Sequence, residues 1–251
     1  MAILHIAGRE IRSILTTATG WLVLFGFLVL SGVFWLALIT NYVRESQNLV
    51  LNPYAASMLK LGDYLIAPWF GNLLVVLLFV GPALSMRLFS EEYRQKTIEL
   101  LLTSPVRTWE IVFGKYLGAM GFGALLLLPT LYAPATVYFY ADPDWGFFVG
   151  GYLVLLFTLS LLVSMGMLAS SFTESQVVAL VLAFSGALGL YVASWLAGED
   201  PEGWLAQASL AGHVQDLLQG ALRLSDIVYY VALSLFLLFL TQQRLESFRW
   251  S

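Results

Sequence analysis

The chain of 251 residues contains no cysteine. Disulfides, thiolate metal sites and cysteine nucleophiles are therefore excluded, while the compartment stays open. Charge is scarce too: Asp, Glu, Lys and Arg make up 11% of residues, against roughly 25% in an ordinary soluble domain. Histidine occurs twice, at His5 and His213. Both read as residues of polar helix faces rather than as metal ligands. No H-E-x-x-H or G-x-S-x-G is present, so neither zinc protease nor serine hydrolase chemistry has a template. The one Gly-Lys pair, Gly114-Lys115, is followed by Tyr116, and Trp109 stands where a phosphate loop requires glycine. The chain is not expected to be an enzyme or to carry a cofactor. With a net charge of -4 it has no basic footprint for nucleic acid.

What is present is apolar sequence, 59% of the chain. Long uncharged runs predict a single all-α membrane domain, 1–251, with six transmembrane helices. The first span runs from Gly20 to Ile39 and is followed by a polar segment, Asn41 to Asp63. The second covers Tyr64 to Met86. The third runs from about Ile111 to Tyr140, and Pro129 and Pro134 either kink it or end it early. After a tight turn at Asp142-Pro143-Asp144, the fourth covers Phe147 to Ser170. The fifth takes Gln176 to Leu196 after the short return Ser171 to Ser175. The sixth, Ile227 to about Leu240, is short.

Two amphipathic segments flank these spans. In the first, within residues 1–18, Leu4, Ala7, Ile11, Ile14 and Ala18 recur at helical spacing, and Arg9, Glu10 and Arg12 lie on another face. That is an interfacial helix; the apolar segment after it is too long for a signal-peptide core. The second lies within 198–226, where Leu210, Val214, Leu217, Leu218 and Ala221 form one face near the outer surface. Tryptophans, including Trp21, Trp35, Trp69, Trp109, Trp145, Trp195, Trp204 and Trp250, fall mostly near span ends, as an interfacial belt would. Small-residue stretches, Gly118 to Gly123 and Ser185 to Gly189, allow close helix packing, across a dimer as well.

Six spans put both termini and the segment between spans two and three on one side. That side carries nine Lys and Arg residues, and the other only Arg44, Lys60 and Arg223. Both termini and the central segment are therefore expected to be cytoplasmic. No ionisable residue falls mid-span, which argues against a proton-driven carrier.

The central segment, Arg87 to Lys115, holds nine charged residues between two apolar runs. Ser90 can cap a helix with Glu91 and Glu92 in its first turn. Glu92 and Lys96 have the spacing of a surface pair, and Ile98, Leu101 and Leu102 supply an apolar face. Pro105 breaks that helix and starts the next. The expectation is one short amphipathic helix with a charged face turned to a partner's groove.

The run S-E-E-Y-R-Q-K-T-I-E-L-L-L-T-S-P-V followed by E-I-V-F-G-K resembles the cytoplasmic loop of bacterial ABC-2 type permeases. The ending H-V-Q-D-L-L-Q-G-A-L-R-L-S-D-I-V-Y-Y-V resembles the gliding-motility-associated branch of that family. The resemblance implies that the N-terminal helix is an elbow and that 87–115 contains a coupling helix. Glu91, Glu92, Arg94, Lys96, Thr97, Glu99 and Pro105 become the residues expected to couple an ATPase. It also implies a multi-pass protein of the bacterial inner membrane, working as a permease subunit, in the exporting direction. Its partners would be a separate ABC ATPase, a second permease subunit, membrane lipids and an extracytoplasmic auxiliary protein. The competing reading is a membrane component that anchors the ATPase, or passes on its motion, without transporting anything.

Overall fold

The computed structural model describes residues 2–50, 60–99, 106–141, 145–196, 207, 209–218 and 223–249. The described elements are helical. They are α1 (Ala2–Thr16), α2 (Ala18–Val50), a π-helical turn (Gly62–Ile66) leading into α3 (Ala67–Ser85), and α4 (Ser90–Arg94). Then come α5 (Thr108–Leu127), a 3-10 turn (Leu128–Leu131), α6 (Tyr132–Tyr140), α7 (Trp145–Ser170), α8 (Gln176–Leu196), α9 (Leu210–Leu218) and α10 (Leu224–Arg249).

Six of these stretches are long and apolar enough to cross a membrane: Ala18–Asn48, Gly62–Arg94, Thr108–Tyr140, Trp145–Ser170, Gln176–Ala193 and Leu224–Phe248. The all-α, six-span architecture is thus as expected. Several boundaries differ from expectation, for one reason. Hydropathy stops where charge begins, but a helix backbone does not. The first helix continues through Arg44 and Glu45 to Val50, and its 33 residues span about 50 Å where the hydrocarbon core is about 30 Å. The last span is not short; α10 carries 26 residues through Arg244 and Glu246. In the third span the backbone tightens to 3-10 geometry at Leu128–Leu131 around Pro129 and then resumes. That is a kink rather than an end. The turn expected at Asp142-Pro143-Asp144 lies outside the described residues.

The core is built from α3, α5 and α7, with α10 packed on α7. Leu73, Leu77, Phe122, Leu155, Leu159 and Leu162 are fully buried within it. Trp35 and Trp69 do not join an interfacial belt. Both are buried, their rings meet edge to face at 5.1 Å, and the Trp69 indole N–H donates to the Ser31 carbonyl at 3.3 Å. Burying two large aromatics while finding an acceptor for one of them favours this site over the interface. Trp21, Trp109, Trp145 and Trp195 are exposed at span ends, as a belt requires. Trp204 and Trp250 lie outside the described residues.

α1 lies against α5, and its packing face differs from the expected one. Ala7, Glu10 and Ile14 are buried, while Leu4 is 75% exposed. Glycines explain the contact. A Cβ on Gly114 would sit 2.8 Å from the Ile6 Cβ, and one on Gly118 would sit 2.6 Å from the Glu10 Cβ. The G-x-x-x-G spacing of Gly114 and Gly118 lets the two backbones approach this closely.

Candidate coupling site at the basic end

The N-terminal helix, the loop after α3 and the end of α10 meet at one end of the bundle. This end carries Arg9, Arg12, Arg87, Arg94, Lys96, Arg107, Lys115 and Arg244. Helix α4 sits at its centre. Ser90 is the first residue of α4 rather than its cap; it is buried and its hydroxyl donates to the Met86 carbonyl. The Thr97 hydroxyl closes the following turn on the Glu92 carbonyl at 3.4 Å.

The expected single helix from Ser90 to Leu102 is interrupted. α4 ends at Arg94, and Lys96 adopts φ 56°, the left-handed region that costs an L-residue about 1–2 kcal/mol. Helical geometry resumes at Ile98, which is buried. Leu101, Leu102 and Pro105 lie outside the described residues. The third span then starts at Thr108, with the Glu110 carboxylate accepting from the Arg107 N–H at 3.0 Å.

The turn at Lys96 undoes the expected Glu92–Lys96 pair. Glu92 instead faces inward and bonds the Lys115 ammonium at 2.8 Å. Lys115 is 3% exposed; it also donates to the Leu88 carbonyl at 2.7 Å and lies 3.7 Å from Glu10. The Phe89 ring flanks it at 5.4 Å. A buried ammonium left unpaired is far more costly than an exposed one, so it takes the carboxylate that a surface lysine would otherwise have shared. One cation thereby ties together α1, the end of α3, α4 and α5.

On its other side α4 meets the C-terminal helix. The Tyr93 and Phe248 rings lie 5.4 Å apart, and the Arg244 guanidinium covers Phe248 at 4.5 Å and Phe172 at 5.0 Å. The segment is thus clamped between α5 and α10. Arg94, Gln95, Lys96 and Glu99 remain exposed, whereas Glu91 and Thr97 are half-buried. Next to this clamp lies an open cleft of about 590 Å³ whose walls include Arg9, Glu10, Arg87, Glu91, Glu92 and Lys115.

Of the seven sequence-predicted site residues, Glu91, Glu92, Arg94, Lys96, Thr97 and Glu99 therefore fall on one short stretch, and Pro105 is not described. Glu10 and Lys115 were not anticipated as members of the site. The signal was present in the G-x-x-x-G spacing, which brings α1 close enough for Glu10 to reach the lysine. Among the described residues no group of three or more His, Asp and Glu side chains could hold a metal ion.

A protein-family model described as ABC-2 family transporter protein matches residues 4–245. The chain belongs to this family. It is a multi-pass membrane component of an ABC-2 transporter, and such a component pairs with an ABC ATPase. Curated proteins give no significant match. In the chain, α1 precedes the first of the six membrane-length stretches and α4 closes the second.

The opposite end of the bundle holds a second polar cluster. His213 on α9 meets the Asp226 carboxylate at 2.7 Å through Nδ1 and the Gln207 carbonyl at 2.9 Å through Nε2. Its ring stacks on Tyr229 at 4.2 Å. With Leu210 and Val214 buried beneath it, α9 is fastened to the start of α10 as a capping element, and His213 acts there as a structural clamp.

Proposed function

We propose that the chain is the permease subunit of an ATP-driven exporter. A separate ATPase would dock on the stretch from Glu91 to Pro105, with both termini on the cytoplasmic face of a bacterial inner membrane. The observation that carries this reading is the double clamp on α4. Its inner face is bound to α5 through Glu92 and Lys115, and to α10 through Tyr93 and Phe248, while Arg94, Lys96 and Glu99 stay outside. A helix that presents charge outward and is joined to two spans passes a push on its outer face directly into the bundle.

A second copy of the chain completes the pathway in this reading. Spans one and five, α2 and α8, are the least covered by the rest of the chain. They expose Leu22, Phe25, Val33, Val178, Val181 and Leu182. The expected small-residue seam divides. Gly118, Gly121, Gly123 and, in the second stretch, Gly186 face neighbours within the chain, while a Cβ on Gly189 would meet nothing within 4 Å. The resemblance of the ending to the gliding-motility-associated branch belongs to this proposal as well, as does an extracytoplasmic auxiliary protein.

The test is capture and coupling of the ATPase. The double variant Arg94→Glu/Lys96→Asn reverses or removes exposed charge without touching the Lys115 cluster, and Asn tolerates the left-handed backbone. It is expected to lose ATPase capture while melting like the wild type. Unchanged capture and unchanged hydrolysis by the reconstituted pair would refute docking here. Hydrolysis coupled to no movement of any cargo would favour the force-transmitting alternative.

A further inference from the structure

Two cavities at the basic end share a residue. The first is the charged cleft of about 590 Å³ described above, within the ~300–1,000 Å³ typical of ligand sites. The second, of about 220 Å³, is apolar over most of its wall, with Ile14, Leu22, Val23, Ala83 and Leu84. Arg87 lines both. Leu22 is 73% exposed, so the apolar groove continues onto the bilayer-facing surface of α2.

The charges in the cleft balance in number and differ in engagement. Arg9, Arg87 and Lys115 face Glu10, Glu91 and Glu92. Lys115 already has its three acceptors. Arg9 and Arg87 enter no ion pair among the described residues, and the Arg87 Nη1 contact to the Thr19 hydroxyl is long, at 3.5 Å. Among the described residues the Glu91 carboxylate accepts only from the Gln95 side-chain amide, at 3.1 Å. The Glu92 Oε2 is buried and has no donor. The cleft thus offers two cations in want of an anion, and in Glu91 a half-exposed carboxylate with room for a further N–H donor.

We propose that the joined cavities hold one membrane phospholipid with an amine headgroup, a phosphatidylethanolamine. Its phosphate would sit on Arg9 and Arg87, its ammonium on Glu91, and one acyl chain in the groove between α2 and α3. A purely anionic headgroup meets three carboxylates here and is disfavoured. A trimethylammonium headgroup cannot donate a hydrogen bond to the Glu91 carboxylate. A soluble zwitterion leaves the apolar groove empty. The position fits a lipid as well, since an interfacial helix such as α1 lies at headgroup depth. The lipid would bridge the α1–α2 joint, the end of α3 and α4, and so tie the loop at this end to the bilayer. None of this depends on ATPase docking.

The experiment uses the purified full-length chain in detergent, without ATPase, titrated with phosphatidylethanolamine, phosphatidylcholine and phosphatidylglycerol of identical acyl chains. Native mass spectrometry reads the bound fraction. The ethanolamine lipid is expected to bind about tenfold tighter than the other two, the worth of one charge-assisted hydrogen bond. Arg9→Ala/Arg87→Ala should lower its binding about tenfold, and Glu91→Gln should shrink its advantage over phosphatidylcholine. Ala83→Phe fills the groove and should expel the lipid with every charge in place; thermal melting of each variant checks folding. Equal binding of all three lipids to the wild type would mean annular contact and overturn the proposal. Preference for phosphatidylglycerol would overturn it in favour of a plain basic patch, and so would full competition by soluble phosphoethanolamine in favour of a headgroup-only site.

Discussion

Lys115 holds its place in the interior because three acceptors from three different elements converge on its ammonium: Glu92, the Leu88 carbonyl and Glu10. Removing one partner of a buried pair costs about 3–5 kcal/mol, most of it from the charge left behind, whereas an exposed pair is worth about 0–1 kcal/mol. Adjacent glutamates should therefore respond very differently to the same change. Glu92→Lys sets a second ammonium against Lys115 and is expected to lower the melting temperature sharply and reduce the membrane level. Glu91→Lys disturbs a hydrogen bond to Gln95 and a favourable helix-terminus charge, worth about 0.3–1 kcal/mol, and should melt close to wild type. Fluorescence-detected melting in detergent separates the two, and equal shifts would mean that the Lys115 cluster carries no stability. From the sequence, Glu91 and Glu92 read as one charged face. The difference between them depends on a left-handed turn at Lys96, and nothing in the residue type announces that turn.

At the scale of elements, what was legible followed from apolar run length. The fifth span begins where the hydropathy placed it, at Gln176, because a short polar turn bounds it on that side. What stayed hidden was every place where a helix outruns its apolar stretch, as α2 and α10 do, or where a polar residue turns inward. Glu10 is the clearest instance. Periodicity assigned it to the solvent face of α1, but the glycines of α5 admit α1 so closely that Ala7, Glu10 and Ile14 become the packing line. This contact gives an element-scale prediction. Gly118→Ala places a methyl about where the Glu10 Cβ already sits, 2.6 Å away, and should cost about 1–3 kcal/mol as α1 is pushed off α5. Gly32→Ala meets nothing within 4 Å and should be neutral or stabilising by up to about 1 kcal/mol, since alanine is the better helix former. Melting of the two variants side by side checks this; a neutral Gly118→Ala would mean that α1 is not held there.

For the whole molecule, charge predicts which end faces the cytoplasm more directly than shape does. The bundle gathers α1, α4 and the end of α10 at one end, and with them nine of the twelve Lys and Arg residues. The other end keeps Arg44, Lys60 and Arg223. Retention of basic loops on the cytoplasmic side depends on this difference and not on net charge, so the acidic balance of the chain does not oppose it. The lack of cysteine lets single cysteines report cleanly. The structure also selects the positions, because Ser90 and Ser209 are buried and would stay silent whichever way the protein faced. Gln47 and Ser225 are exposed at the sparsely charged end, and Gln95 and Ser247 at the basic end. In intact cells an impermeant maleimide is expected to label Gln47→Cys and Ser225→Cys. It should label Gln95→Cys and Ser247→Cys only after the membrane is opened. The inverted pattern would put the Lys115 cluster outside, beyond reach of any cytoplasmic ATPase, and the coupling role of α4 would fall with it. Labelling of Gln47→Cys but not Ser225→Cys would instead mean that one of the four stretches between them, in α3, α5–α6, α7 or α8, does not cross, since four crossings keep these two positions on one side.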